Sequence, residues 1–396
     1  MAESINHPTA QSILIVAGER SGDVYGAELA TALQTRLPEI KIFGCGGEAM
    51  RKAGVDTTVD LRDFAMVGIA EVIKDLPRAR RTFNLLLEEV DRRKPGLAVL
   101  IDSPSLNLRI AKRLKHRKIR IVYFVSPQIW AWKKWRIKHI KARVDKMLCL
   151  FDFEEAIYKK AGIPVEFVGN PLLELVYPSL SRQEFFNQAG LDVDTPTVAL
   201  LPGSREREVF YNLPAMLDAA TRLALTRKIQ FVIPVAPSLD PQWLESRLQK
   251  YYVGRAAVRT VTQATYNALQ HSDVAAVASG TATVEAALCE RPMVVVYRVS
   301  PITFLLGRFM VDVPFYSMVN LLAGKPVVKE LIQGDFTAPA VAAQLEYLLD
   351  HPEAREEMVK EFRALRPRLG PGGAIQRAAD AVIREMQSSQ TPVQNS

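Results

Sequence analysis

Residues 272–297, SDVAAVASGTATVEAALCERPMVVVY, read as an apolar strand, a turn of small residues, a short helix and a second apolar strand. A strand without polar alternation is covered on both faces, and two such strands joined through a helix run parallel. The same unit recurs along the chain. ILIVAG (13–18), KIFGCG (41–46), LAVLID (97–102), IRIVYFV (119–125) and DKMLCL (145–150) precede it, followed by TVALLPG (197–203) and IQFVIPV (229–235). This pattern predicts an α/β protein with doubly wound, Rossmann-like parallel sheets.

The turn in the opening stretch also carries chemistry. Free N–H groups and the positive end of a helix favour a phosphate at Ser279, Gly280 and Thr281, and glycine has no Cβ to hold it off. Glu285, one turn further in, would repel a phosphate and suits sugar hydroxyls. Diphosphate followed by ribose describes a nucleotide. The plainer alternative is that Ser and Thr cap the helix while Glu285 supplies acid to its first turn.

At 396 residues the chain exceeds one ordinary core, and 48% hydrophobic with 24% charged residues is the composition of a globular protein. The proline-rich and polar segment around residues 169–196 predicts a boundary. The expected division is an N-terminal Rossmann-like domain at 12–175, a linker at 176–195 and a C-terminal Rossmann-like domain at 196–370. A final helix at 372–387 crosses back to the first domain or to a partner chain, and a disordered tail occupies 388–396. Two switch-point crevices would then face one central cleft, with functional residues just after strands.

The excess of 51 basic over 43 acidic residues, a formal charge of +8, draws the chain to polyanions: nucleic acid, anionic lipid or phosphorylated substrates. The N-terminal MAESINHPTAQS lacks the apolar core of a secretory signal, and no uncharged apolar run reaches the ~18 residues of a membrane span. Cys45, Cys149 and Cys289 are far apart, which fits a reducing cytoplasm. The histidines form no ligand cluster, so no metal and no cofactor is expected.

Several further constellations follow strands. AGERSGD (17–23) places Gly18, Glu19, Ser21, Gly22 and Asp23 in a strand-to-helix turn; its two acids oppose a bare phosphate and favour sugar hydroxyls, a structural corner being the alternative. FGCGGEA mimics the dinucleotide fingerprint with Gly44, Gly46 and Ala49, but it follows the second strand and opens a very short helix, so we read it as a decoy. Asp102 ends an apolar strand where a general base would sit, or else serves the Asp-Ser-Pro-Ser turn as a capping carboxylate. In LPGSREREV (201–209), Arg205 stands at a helix start, unfavourable for a cation unless it pairs with a diphosphate.

Two stretches suggest surfaces. VSPQIWAWKKWRIKHIKARVDK joins Trp130, Trp132 and Trp135 to a run of cations. It suits stacked bases, or anionic lipid and phosphosugar; with no accompanying nucleic-acid motif the second reading is preferred. Met66, Val67, Ile69, Val72, Ile73 and Leu76, followed by Arg78 and Arg81, form a stripe for acyl chains and headgroups, or ordinary core.

Taken in order, AGERSGD, DSPSLN, VSPQIWAW, LPGSRE, SGTATVE and VNLLAGKPVVKELIQ make the chain resemble lipid-A-disaccharide synthase, a bacterial glycosyltransferase family of the GT-B fold. The resemblance implies transfer of 2,3-diacylglucosamine from UDP to 2,3-diacylglucosamine 1-phosphate, giving a β(1→6) disaccharide phosphate and UDP. It implies Asp102 as general base, Arg205, Glu285, Asn320 and Gln333 at the donor site, and the Gly18–Asp23 turn facing the cleft. It also implies a peripheral position on the cytoplasmic face of the inner membrane, no nucleic-acid partner and no settled oligomeric state, a homodimer included. Where the family pattern reads Asp-Ala-Pro-Asp-Phe-Asn, this chain has Asp-Ser-Pro-Ser-Leu-Asn, so Ser105 replaces a second acid. A UDP-sugar epimerase of the same architecture and a non-catalytic RNA- or membrane-binding protein are the alternatives.

Overall fold

The computed structural model describes residues 12–61, 69–129, 135–251, 256–300, 304 and 313–388, without the side chains of 69–78. It divides into two compact units, residues 1–171 with 369–396, and residues 172–368.

Unit 1 is built on a seven-stranded parallel sheet in the order β3-β2-β1-β4-β5-β6-β7. Its strands are β1 Ser12–Ala17, β2 Lys41–Gly46, β3 Asp56–Asp60, β4 Leu97–Ile101, β5 Arg120–Phe124, β6 Lys146–Cys149 and β7 Val165–Phe167. Unit 2 holds a six-stranded sheet in the order β10-β9-β8-β11-β12-β13. These are β8 Thr197–Leu201, β9 Gln230–Val235, β10 Ala257–Thr262, β11 Val274–Ala278, β12 Met293–Tyr297 and β13 Lys329–Ile332. All recorded pairings are parallel, as expected for strands joined through helices.

The strands evident as apolar runs are the interior ones. β1, β4, β8 and β11 are buried almost throughout, whereas β3, β7, β10 and β13 stand at the four sheet edges and are half-exposed. An edge strand is covered less, so sequences such as DTTVD and AVRTVT show no continuous apolar signal. β2 lies so close to β1 that a Cβ on Gly44, at φ +149°, would strike the Ile15 carbonyl.

Residues 176–195, expected as a linker, fold with unit 2. They carry the helix Arg182–Ala189, opened by a Ser181–Glu184 capping box and closed by Gly190 in the left-handed region. The final helix, Ala374–Ser388, packs in unit 1, where Arg120 pairs with Glu385 at 2.6 Å and Arg384 with Glu166 at 2.7 Å. The tail beyond Ser388 lies outside the described residues.

Both sheets reverse their winding order at one place. In unit 1 this is between β1 and β4, where Ala17 pairs with Ile101; in unit 2 it is between β8 and β11, where Leu201 pairs with Val277. Ligands of open α/β sheets bind at such switch points, beyond the carboxyl ends of the strands.

Candidate active site

The switch point of unit 2 brings the loops after β8 and β11 side by side. After β11, Gly280 takes φ +151°, and a Cβ there would meet nothing within 4 Å, so the backbone is open on that side. Ser279 donates its hydroxyl to the Tyr316 carbonyl at 2.7 Å, and Thr283 donates to the Gly280 carbonyl at 2.8 Å, which fixes the turn. Glu285 lies in the helix Ala282–Leu288 and is half-buried; burial pushes its carboxyl up to about 7. Its charge bears on two neighbours that are themselves pushed upward by burial, Tyr266 and the Cys289 thiol.

After β8, Gly203, Ser204 and Arg205 lead into the helix Glu206–Thr226. Glu208 Oε2 accepts from the backbone nitrogens of Ser204 at 2.9 Å and Arg205 at 3.3 Å, and its Oε1 accepts from Arg205 Nη1 at 3.0 Å. The loop thus already holds an anion of its own, with an exposed guanidinium beside it. Glu208 was not singled out in the sequence, although its position three residues after Arg205 is the capping-box spacing.

The neighbouring strands β12 and β13 add Arg298 and Gln333. Gln333 takes φ +52° and donates its backbone N–H to Tyr297 at 2.8 Å, and its side-chain nitrogen is buried with no partner among the described residues. Arg298 lies over the Phe336 ring at 4.8 Å and donates to the Phe336 carbonyl. Arg298 stood outside every motif of the sequence.

Asn320 does not fit the donor-site position the resemblance gave it. It is 1% exposed. Its Nδ2 donates to the Val328 carbonyl and to Glu330, and its Oδ1 accepts from the backbone of Val327 and Val328, all at 2.8–2.9 Å. Both amide hydrogens are committed, so Asn320 braces the segment 317–330 and leaves no donor for a ligand.

In unit 1, β4 is followed by Asp102 and Ser103, at φ +48° and +43°. Just past the adjacent β5, Val125 takes φ +67°, a conformation that a β-branched residue rarely adopts. Strained backbone of this kind concentrates at functional sites. Gly18, across the switch point, admits the turn: a Cβ there would come within 2.5 Å of Ser103 Oγ. Ser105, exposed, accepts from Nη2 of the buried Arg136 at 3.2 Å.

The AGERSGD turn is a loop only at Gly18 and Glu19; from Arg20 the chain is helical, with Ser21 exposed and Gly22 packed near Ile101 and Ala17. Asp23 corrects its expected place among ligand-facing groups. It is 2% exposed, and its carboxylate accepts from the backbone nitrogens of Gly47 at 2.6 Å, Ala49 at 3.1 Å and Met50 at 3.2 Å. The helix start of the FGCGGEA decoy does bind an anion, a carboxylate of the chain itself.

Of the suggested surfaces, Met66, Val67, Trp130 and Trp132 lie outside the described residues. Ile69, Val72, Ile73, Leu76 and Arg78 belong to the helix Ile69–Arg93, on which Arg81 is exposed. Trp135 is exposed and meets His139 edge-on. Among the described residues no helix is long and apolar enough to cross a membrane.

A family model described as Lipid-A-disaccharide synthetase matches residues 13–371. The chain belongs to that family. Named relatives agree: the lipid-A-disaccharide synthase of Myxococcus xanthus is 44% identical over 94% of this chain and 96% of its own length. That of Koribacter versatilis is 44% identical over 95% and 98%. As a lipid-A-disaccharide synthetase family member the chain is a glycosyltransferase, and the epimerase and non-catalytic readings give way.

Solved structures share the fold at low identity. An S. aureus MnaA–UDP structure has a TM-score of 0.67 at 12% identity, covering 95% of this chain and 97% of its own. The calicheamicin glycosyltransferase CalG4 has 0.59 at 14%, covering 97% and 99%. The first is evidence of architecture only, and so is the second: a two-sheet GT-B frame houses more than one chemistry.

Proposed function

We propose that this lipid-A-disaccharide synthetase family member transfers a 2,3-diacylglucosamine unit from UDP to the 6-hydroxyl of 2,3-diacylglucosamine 1-phosphate, with inversion at the anomeric carbon. The observation that carries the reading is family membership over nearly the whole chain, together with candidate loops at both switch points. Asp102 takes the proton of the acceptor hydroxyl as its oxygen bonds to the anomeric carbon. The bond from that carbon to the diphosphate breaks, and its electron pair leaves with UDP. Arg205 and the backbone amides at 279–281 stabilise the negative charge on the departing diphosphate, while Glu285 accepts hydrogen bonds from the ribose hydroxyls. Gln333, with a buried side-chain nitrogen lacking a partner among the described residues, supplies a further donor to the nucleotide sugar.

The substrates bear acyl chains, so the reaction belongs at the cytoplasmic surface of the inner membrane, approached through the Ile69–Arg93 helix and the basic segment around Trp135. Supplying purified protein with both lipid substrates tests the reading. A disaccharide phosphate and UDP in equal amounts are expected, and Asp102→Asn should lower turnover by about 10²–10⁴. A rearranged monosaccharide without UDP release would refute it.

A further inference from the structure

Asp102 and Ser103 hold two successive left-handed conformations without being glycine. Such angles persist only where the surroundings over-determine them. The Asp102 carbonyl accepts from Tyr123 Oη at 2.5 Å and from Asn107 Nδ2 at 2.8 Å, and the same amide nitrogen reaches the Ile101 carbonyl at 2.9 Å. The Asp102 N–H donates to the Phe124 carbonyl at 3.0 Å. Tyr123 and Asn107 are both 0% exposed.

Asn107 bears a cost for this arrangement. Its Oδ1 is buried with no partner among the described residues. The reverse amide orientation would set that oxygen against two carbonyl oxygens, so both amide hydrogens stay on the turn. Tyr123 stays protonated, because burial and the nearby Asp102 charge both raise its hydroxyl well above the usual range. It is a donor here and takes no part in proton transfer.

We propose that Tyr123 and Asn107 are positioning residues: their shared grip on the Asp102 carbonyl fixes the left-handed turn, and with it the direction in which the Asp102 carboxylate meets the acceptor hydroxyl. The inference rests on Asp102 as the base. Tyr123 is interior to β5 and Asn107 lies in the first turns of the helix Pro104–His116, so two separate elements converge on one carbonyl oxygen. A shift of that backbone by a fraction of an ångström redirects the carboxylate, and catalytic geometry is sensitive on that scale.

The test is a kinetic cycle with Tyr123→Phe, Asn107→Asp and Asp102→Asn, with thermal unfolding measured so that rates refer to folded enzyme. Tyr123→Phe should lower kcat about tenfold or more with the KM for the UDP-sugar unchanged, and Asn107→Asp should do the same more severely. In the Asp102→Asn background both should add little, because groups that act through one another are not additive. Wild-type kcat in Tyr123→Phe, or equal fractional losses in both backgrounds, would overturn the proposal. Full turnover by Asp102→Asn alone would instead remove Asp102 as the base, a distinguishable failure.

Discussion

Asp23 Oδ1 lies 2.6 Å from the backbone nitrogen of Gly47, and the same carboxylate reaches two further backbone nitrogens at the start of the helix Glu48–Lys52. Asp23, in the first turn of the helix after the first strand, therefore binds protein and not ligand. Asp23→Ala should destabilise unit 1 by about 2–3 kcal/mol, since it leaves buried donors unsatisfied at a helix N-terminus. Urea denaturation measures this. Undiminished stability with lost turnover would return Asp23 to the ligand-facing groups.

If Glu285 holds the ribose as proposed, nucleotide binding should depend on pH. Its carboxyl sits at about 7 because burial disfavours the charge. In the proposed site the ribose hydroxyls would donate to the ionised form, so binding a UDP-sugar should release a proton. Affinity should rise with pH up to about 7 and level above it, whereas Glu285→Gln should give a flat profile. The effect on folding has the opposite sense. A carboxyl whose folded pKa lies above its unfolded value stabilises at low pH, and that contribution is lost as pH rises from the model-peptide range through about 7. Calorimetric titration with a UDP-sugar, whose diphosphate does not titrate in this range, reads the first effect.

Arg205→Ala should weaken UDP binding about 10- to 100-fold, the worth of a charge-assisted contact at 1.5–3 kcal/mol, and more at low salt than at high. Arg227→Ala removes a guanidinium that pairs with Asp350 at 2.8 Å and Glu346 at 3.1 Å, and it should leave UDP affinity unchanged. Equal affinities for both variants and the parent would take Arg205 out of the nucleotide site.

Asn320→Ala should act on folding first. It strands the backbone nitrogen of Val328, leaves Val327 N–H only its bond to the Lys325 carbonyl, and removes donors to the Val328 carbonyl and Glu330, a loss of about 3 kcal/mol. Thermal unfolding should show the loss in the absence of any ligand. An unaltered melting temperature with weakened UDP binding would make Asn320 a contact residue.

The interior of each sheet was legible because Ile13–Val16 or Val274–Ala278 admits no reading but a strand covered on both faces. β3 and β10 were not, because a half-covered edge tolerates Asp56, Asp60 and Arg259. The candidate loops were legible for a related reason: a strand end followed by small or polar residues is visible in sequence. What a side chain there already binds is not. Asp23, Asn320 and Glu208 have the chemistry of ligand contacts, yet each is already engaged within the chain, with backbone groups 24, 8 and 4 residues away among its partners. Tyr123 lies in no motif, and Asn107, although it closes DSPSLN, was not singled out, because both donate to a backbone carbonyl that side-chain chemistry alone does not reveal. The segment 176–195 read as a linker because its short helix, between proline and glycine, carries little apolar periodicity.

A crystal structure with UDP bound tests the central claim most directly, that the switch point of unit 2 is the nucleotide site. The account predicts ribose hydroxyls within hydrogen-bonding distance of Glu285 and diphosphate oxygens against the amides of 279–281 and the Arg205 guanidinium. Uridine seated in unit 1, or with its phosphates beside Glu285, would contradict it.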